Sequence, residues 1–244
     1  MQKYFISTEE LNNLRITSSD VFHIKNVTRS KLGDTFIVSD NLKECLVKIT
    51  AINKNDVAFE IVEYLENNNE LPVNVTIFQG YPKGDKMEDI IKHGTELGAS
   101  SFVATFMKRS IVKLDESKIN VKTARFSKIA KEAAEQSFRK MVPSVSIKKL
   151  KEIDFSSYKC KLLCYEEDAK NNELKNFKTA LGNLSSNDSV AVLIGPEGGI
   201  DEAELAYLKD LGFISVALGP RILRTETASM YVLSSISYEL ELKK

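Results

Sequence analysis

Little in this sequence is suited to binding a metal ion. It has only two histidines, His23 and His93, and three cysteines, Cys45, Cys160 and Cys164, none with a histidine nearby. No zinc-ligand spacing results, and no metal is expected. The cysteines are expected to be buried, reduced thiols on strands. No run of about 18 apolar residues occurs, so no helical membrane span is expected. The opening MQKYFISTEE lacks the apolar stretch of a secretory signal, so a cytoplasmic location is expected. Net charge is also lacking, but the zero conceals an asymmetry. From Lys108 to Lys151, thirteen Lys or Arg residues stand against four acids (Asp115, Glu116, Glu132 and Glu135), so this segment carries +9 and the remainder −9. A polyanionic partner such as nucleic acid fits that pattern, and so does a solvated helix face.

With 244 residues the chain suffices for one large domain or for a small and a medium one. Two rhythms favour the second. Residues 1–70 read as a small β-rich module, with strands at Lys3–Ile6, Thr35–Ser39, Glu44–Asn53 and Val57–Leu65. Asp40-Asn41 is a hairpin signal, and Ser19 or Asp20 is placed to cap a short helix, VFHIKNVTR. Consecutive hairpins of this kind predict a small barrel. The polar run Glu66–Glu70, closed by Pro72, is the expected linker.

From residue 71 to 244, strands alternate with helices. Strands are predicted at Val73–Gln79, Ser101–Phe106, Lys161–Tyr165, Val190–Ile194 and Ile214–Leu218. The last three are nearly continuous apolar runs, as strands buried on both faces of a parallel sheet require. Helices are predicted at Lys86–Leu97, at Thr123–Met141 and from Thr225 to about Leu242. The second carries an apolar stripe of Phe126, Ile129, Ala130, Ala133, Phe138 and Met141. The alternation indicates an α/β domain with a mostly parallel sheet.

Two glycine-broken loops, GPEGG (195–199) and LGPRILRTETA (218–228), follow predicted strands, where parallel sheets collect ligands. Asp201 and Glu204 form a D-x-x-E capping-box pattern, so a helix is expected directly after Ile200. A phosphate at that helix start would require Gly-Lys-Ser/Thr, but Gly199-Ile200-Asp201 stands there, with Glu197 inside the loop. A carboxylate in the cradle repels polyphosphate and tolerates a cationic or neutral ligand. S-adenosylmethionine, with its sulfonium, is of that kind; two ordinary Gly-Pro turns are the plainer reading.

LIGPEGG followed by LGPRILRTETA closely resembles the 16S ribosomal RNA uracil-N(3)-methyltransferase family of the SPOUT (trefoil-knot) superfamily. The likeness extends to HIKNVTRSKLGD at 23–34, KGDKMEDIIKHGTELG at 83–98 and RFSKIAKEAAEQSFRKMVP at 125–143. Lys3 stands where the family more usually has arginine, and His93-Gly94 where it more commonly has Lys-Ala. The resemblance implies a PUA-like RNA-binding barrel over 1–70 and a knotted methyltransferase domain over 71–244. It also implies a homodimer, S-adenosylmethionine as cofactor and 16S ribosomal RNA of the small subunit as substrate. Backbone groups of the two loops would hold the cofactor, at Ile194, Gly195, Pro196, Gly198, Gly199, Leu218, Gly219, Ile222, Leu223, Thr227 and Ala228.

Methylation of uracil N3 needs removal of its proton and stabilisation of negative charge on the flanking carbonyls. Arg224 is the first candidate for the second task; a salt bridge with Glu226 is its structural alternative. For Glu197 three roles stay open: general base, neighbour of the sulfonium, or shaper of the loop. Arg125, Gln136 and Arg139 on the basic helix, with Lys3, Arg29 and Lys31 in the barrel, are the expected RNA contacts. The rival readings are methylation of another nucleotide, a non-catalytic RNA-binding or ribosome-assembly protein, and a nucleotide-dependent enzyme.

Overall fold

The computed structural model describes residues 1–66, 68–112, 114–165 and 175–243. Asn67 of the expected linker and Lys113 of the basic segment lie outside them. The chain divides into two compact units, one of Met1–Glu70 with Ala134–Val142, the other of Leu71–Ala133 with Pro143–Lys244.

In the first unit, strands β1 (Lys3–Phe5), β2 (Arg15–Ile16), β3 (Thr35–Ser39), β4 (Glu44–Ile52) and β5 (Val57–Leu65) form one sheet in the order β1-β3-β4-β5-β2. Only the β1–β3 pair is parallel. The β3–β4 turn carries Asn41 at φ 69°, and Asp40 Oδ1 accepts from the backbone N–H groups of Leu42 and Lys43. The apolar face packs Tyr4, Ile16, Ile24, Phe36, Val38, Val47, Ile49 and Phe59 into one core. Helix α1 (Thr8–Asn12) goes beyond the sequence expectation. It opens on a capping box in which Ser7 Oγ accepts from Glu10 N–H at 3.1 Å and Glu10 accepts from Ser7 N–H at 3.0 Å. The expected helix after Ser19 is split into α2 (Asp20–Phe22) and a π-turn, His23–Val27.

The sequence pattern assigns residues 134–142 to the second domain, as the end of a helix reaching Met141. The helix instead spans Glu116–Gln136. Phe138 enters the left-handed region at φ 56°, and the Arg139 N–H turns back to Ala134 C=O at 2.9 Å. The segment is then held by Phe5 N–H to Glu135 (3.0 Å), Ser39 Oγ to Lys140 C=O (3.1 Å) and Val142 N–H to Asn41 (2.9 Å). Phe138 and Met141 therefore fall off the helical stripe, and Met141 is exposed.

The second unit comprises β6 (Asn74–Gly80), α3 (Lys86–Glu96), β7 (Ser101–Phe106), α4 (Glu116–Gln136, its last residues apart), β8 (Ser144–Lys149) and β9 (Cys160–Cys164), then α5 (Lys175–Gly182), β10 (Ser189–Ile194), α6 (Glu202–Asp210), β11 (Ile214–Val216) and α7 (Thr225–Ser237). Its sheet has the order β11-β9-β10-β6-β7-β8, with every pair parallel. The chain lays β7 and β8 to one side of β6, then returns to place β9, β10 and β11 on the other. Direction reverses between β6 and β10, and sheets of this kind collect ligands beyond the C-terminal ends of their strands. Val190, Ala191, Val192 and Leu193 of β10 are fully buried, as a two-faced strand demands.

Strand β8, at the sheet edge, offers only the short alternation of Val145 and Ile147 with Ser144 and Ser146, because its exposed lysines Lys148 and Lys149 leave no apolar run. Gly94 has a packing reason: a Cβ there would lie 2.7 Å from the Phe102 ring. A simple N-cap replaces the expected capping box at α6. Asp201 accepts from Ala203 N–H at 3.2 Å, while Glu204 accepts from Lys108 N–H at 2.8 Å instead of turning back. The last helix ends at Ser237 and closes in a π-turn, Tyr238–Leu242.

Candidate active site

The ends of β9, β10 and β11 surround a cavity of about 540 Å³, a size suited to a nucleoside-sized ligand. Both glycine loops line it. Of the residues expected to hold a cofactor, Ile194, Gly195, Pro196, Gly198, Gly199, Leu218, Gly219, Ile222, Leu223 and Ala228 are on its wall. Thr227 is not; one position past Glu226 on α7, it faces solvent. Lys86, Arg109, Cys164, Tyr165, Ile200, Val216, Arg221 and Thr225 also line the cavity, beyond what the sequence pattern indicates.

The loop geometry depends on missing side chains. Gly199 and Gly219 have φ of 73° and 94°, in the region that glycine tolerates and other residues resist. A Cβ on Gly195 would lie 2.8 Å from Ile200, and one on Gly80, at the end of β6, 2.4 Å from Pro196 N. The GPEGG loop thus rests directly on the β6 terminus. Thr225, the first residue of α7, donates its hydroxyl to Gly195 C=O at 2.8 Å and ties the second loop to the first.

Glu197 is held from two sides. Its Oε1 accepts from Lys86 Nζ at 2.8 Å and from Lys83 N–H at 3.1 Å. Burial raises its pKa, but the hydrogen bonds from Lys86 and the backbone together outweigh it and leave the carboxyl below its ordinary value. A depressed, doubly engaged carboxylate is a weak proton acceptor; the geometry favours loop shaping among its three roles. Lys86 also lies 3.6 Å from Glu226, and the hydrogen bond from its ammonium to Glu197 raises its pKa.

Arg224 precedes α7 as its N-cap, with extended backbone and an exposed side chain. Its alternative partner, Glu226, is engaged by Lys86, and the Arg224 guanidinium makes no ion pair among the described residues. Arg221, also exposed, stands three residues earlier on the same wall. Arg109 donates to Gly198 C=O at 3.2 Å. Burial pushes the Cys164 thiol up to about 12, so it remains protonated and non-nucleophilic. No group of metal-ligating residues occurs among the described residues.

Two expected RNA contacts need correction. Lys3 is 2% exposed and paired with Glu44 inside the first unit. Arg139 is also 2% exposed, and its Nε lies 2.9 Å from both Glu70 oxygens. Neither ammonium nor guanidinium reaches solvent, so neither is placed to meet a phosphate. Arg29, Lys31 and Gln136 are exposed. Arg125 is exposed but pairs with Glu88 at 2.7 Å. Much of the remaining basic segment gathers elsewhere: Lys108, Lys148, Lys149 and Lys151 rim a second, more apolar cavity of about 940 Å³.

The RNA methyltransferase domain family matches residues 69–237, and the RNA methyltransferase PUA domain family matches residues 16–62. The chain is 42% identical to ribosomal RNA small subunit methyltransferase E of Bacillus subtilis, covering 99% of this chain and 98% of that protein. Identity to the protein of the same name from Aquifex aeolicus is 32%, over 94% and 96% of the two chains. Among solved structures, ribosomal RNA small subunit methyltransferase E of Neisseria gonorrhoeae bound to S-adenosyl methionine superposes with a TM-score of 0.82 at 26% identity, covering 97% of both chains.

Proposed function

We infer the reaction from one premise: the chain belongs to the ribosomal RNA small subunit methyltransferase E family. It is an S-adenosylmethionine-dependent methyltransferase of small-subunit ribosomal RNA, built from a PUA domain and an α/β methyltransferase domain. The observation that carries this reading is the glycine-lined cavity at the C-terminal ends of β9, β10 and β11.

The residues present fit the cofactor. Gly195, Gly198, Gly199 and Gly219 bring backbone without a Cβ to the cavity wall, and the single carboxylate lining it, Glu197, disfavours a polyphosphate rival. When bound, S-adenosylmethionine supplies an electrophilic methyl group on a sulfonium. Ile194, Gly195, Pro196, Gly198, Gly199, Leu218, Gly219, Ile222 and Leu223 would hold it, joined by Ala228; Thr227 is left out because it points to solvent.

The finer reading is methylation of N3 of one uridine in 16S ribosomal RNA by a homodimer in the cytoplasm. Family likeness supports the target atom. In this reading Arg224 steadies the negative charge that spreads onto the uracil carbonyls as the N3 proton leaves. Its exposure on the cavity wall, with no ion pair among the described residues, supports that role. Glu197, clamped by Lys86, keeps the loop in shape. Positioning of the reacting atoms supplies much of the rate in such an in-line displacement. RNA phosphates would meet Arg29, Lys31 and Arg125, with Gln136 near a base edge. Residues 1–70 and 71–244 are the proposed RNA-binding and methyltransferase domains, with 134–142 added to the first.

Mapping N3-methyluridine in 16S ribosomal RNA from cells with and without the gene tests this reading. A single uridine losing its methyl group in the deletion strain is expected. An unchanged N3-methyluridine map would reject the target, and failure of calorimetry to detect S-adenosylmethionine binding would reject the site.

A further inference from the structure

Beneath the cavity wall lies a buried amide that the reaction scheme does not use. Gln79, the penultimate residue of β6, is 0% exposed and follows the buried apolar pair Ile77-Phe78 in the central sheet. Its Nε2 donates to Thr225 Oγ1 at 2.6 Å and lies 3.2 Å from Gly80 C=O and 3.4 Å from Gly195 C=O. Thr225 passes the interaction on by donating its hydroxyl to Gly195 C=O at 2.8 Å. Gln79 Oε1 is buried with no hydrogen-bond partner among the described residues.

Burying an amide with one end unsatisfied is destabilising relative to an apolar side chain of similar shape. Stability alone would favour Leu or Met at this strand position. What the amide gains is a connection. A single side chain joins the end of β6, the first residue of GPEGG and the first residue of α7, three segments far apart in sequence. The amide orientation is decided by its neighbours. Turned over, Oε1 would face the carbonyls of Gly80 and Gly195, two acceptors without a proton to share. Gly80 adds to the same junction, because its missing Cβ lets Pro196 settle 2.4 Å from where that atom would stand.

We propose that Gln79, acting through Thr225, is a positioning residue of the cofactor site: it fixes the Gly195–Pro196 peptide and the start of α7 relative to each other. The inference rests on the reading of this cavity as the S-adenosylmethionine site. Gln79 does not line the cavity, so its influence is carried by Gly195 and Thr225, which do.

The test compares Gln79→Met, Thr225→Val and Thr225→Ser in the full-length protein. Calorimetric Kd for S-adenosylmethionine, the KM and kcat for methyl transfer, and Tm are measured together. Gln79→Met and Thr225→Val should each weaken cofactor binding about tenfold or more, with KM for the cofactor rising in parallel. The Gln79→Met/Thr225→Val double variant should lose little beyond either single change, since both break one connection. Thr225→Ser restores the hydroxyl and should recover the affinity that Thr225→Val loses. If either single variant folds with a lower Tm but unchanged Kd and KM, the amide is structural only and the proposal fails. Should Gln79→Met not fold, Thr225→Val against Thr225→Ser decides alone. Absence of S-adenosylmethionine binding by the unaltered protein would instead overturn the site assignment, a different result from tight binding by every variant.

Discussion

Arg139 and Arg224 show two uses of the same side chain. In the first unit Arg139 is enclosed, its Nε 2.9 Å from both oxygens of Glu70, while Glu70 also accepts from the Lys140 N–H at 2.8 Å. In the second unit Arg224 stands exposed on a cavity wall without an ion pair among the described residues. Their ammonium counterparts follow the same division. Lys3 is buried against Glu44, whereas Lys86 lies at the cavity edge between Glu197 and Glu226. The first unit uses its internal cations to close the β-module. The second leaves Arg221 and Arg224 exposed on the cavity wall. Local charge density in the sequence does not separate these cases; the position of the opposing carboxylate does.

The comparison breaks most visibly if Arg224 is removed. Arg224→Ala should lower kcat by about 10²–10³-fold, the loss typical of one charge-stabilising donor. Calorimetric Kd for S-adenosylmethionine and Tm should stay close to their original values. Undiminished turnover would move the charge-stabilising role to Arg221 or Arg109. Arg139→Ala should do the opposite. Breaking a buried pair while leaving Glu70 uncompensated should cost about 3 kcal/mol of stability. Denaturant melts should register that loss, with cofactor affinity unchanged. A variant as stable as the original but deficient in RNA binding would return Arg139 to the RNA surface.

The division also explains how much of the molecule is legible in the chain alone. The strands of the central sheet are legible because continuous apolar runs such as Val190–Ile194 have few alternatives to burial on two faces. The glycine loops are legible because Gly199 and Gly219 mark backbone shapes that few residues tolerate. Strand β8 is hidden by its lysines. Helix α1 is short enough to escape a periodicity reading, although Ser7 and Glu10 carry a capping-box spacing. The roles of Lys3 and Arg139 are not legible, because their partners lie 41 and 69 residues away. The same holds for Lys86 and Arg109, which reach the cavity from segments distant in sequence. Gln79 looks like an ordinary polar residue at the end of a strand, and only the meeting of three segments around it gives it a purpose.

Smaller effects should appear where exposed cations meet RNA. The double change Arg29→Glu/Lys31→Glu should weaken RNA binding several-fold and reduce the slope of log K against log salt by about one for each phosphate no longer neutralised. Arg125→Glu should act less strongly, because Arg125 already shares its charge with Glu88. An unaltered salt slope in both variants would direct attention to Lys148, Lys149 and Lys151 around the second cavity.

The smallest effect is a pH dependence of the cofactor loop. Burial pushes the Glu197 carboxyl upward, and the bonds from Lys86, Lys83 and its own backbone bring it below the ordinary carboxylate value. A carboxylate with a depressed folded-state pKa contributes fully above its unfolded value, roughly 4.3. That contribution is lost as pH falls through the lower folded-state value. Cofactor affinity should therefore be flat through neutral pH and decline only below the ordinary carboxylate range. Lys86→Met removes the strongest of the lowering interactions, so the acid decline should begin at higher pH. The exposed setting of the pair keeps the change modest, because solvent screens it. Titrating S-adenosylmethionine Kd against pH in both proteins measures the displacement. Coincident acid limbs would mean that the Lys86–Glu197 bond does not govern the loop. A limb displaced toward neutrality would place Lys86 with Glu197 among the residues that shape the cavity, apart from the exposed Arg224 on its wall.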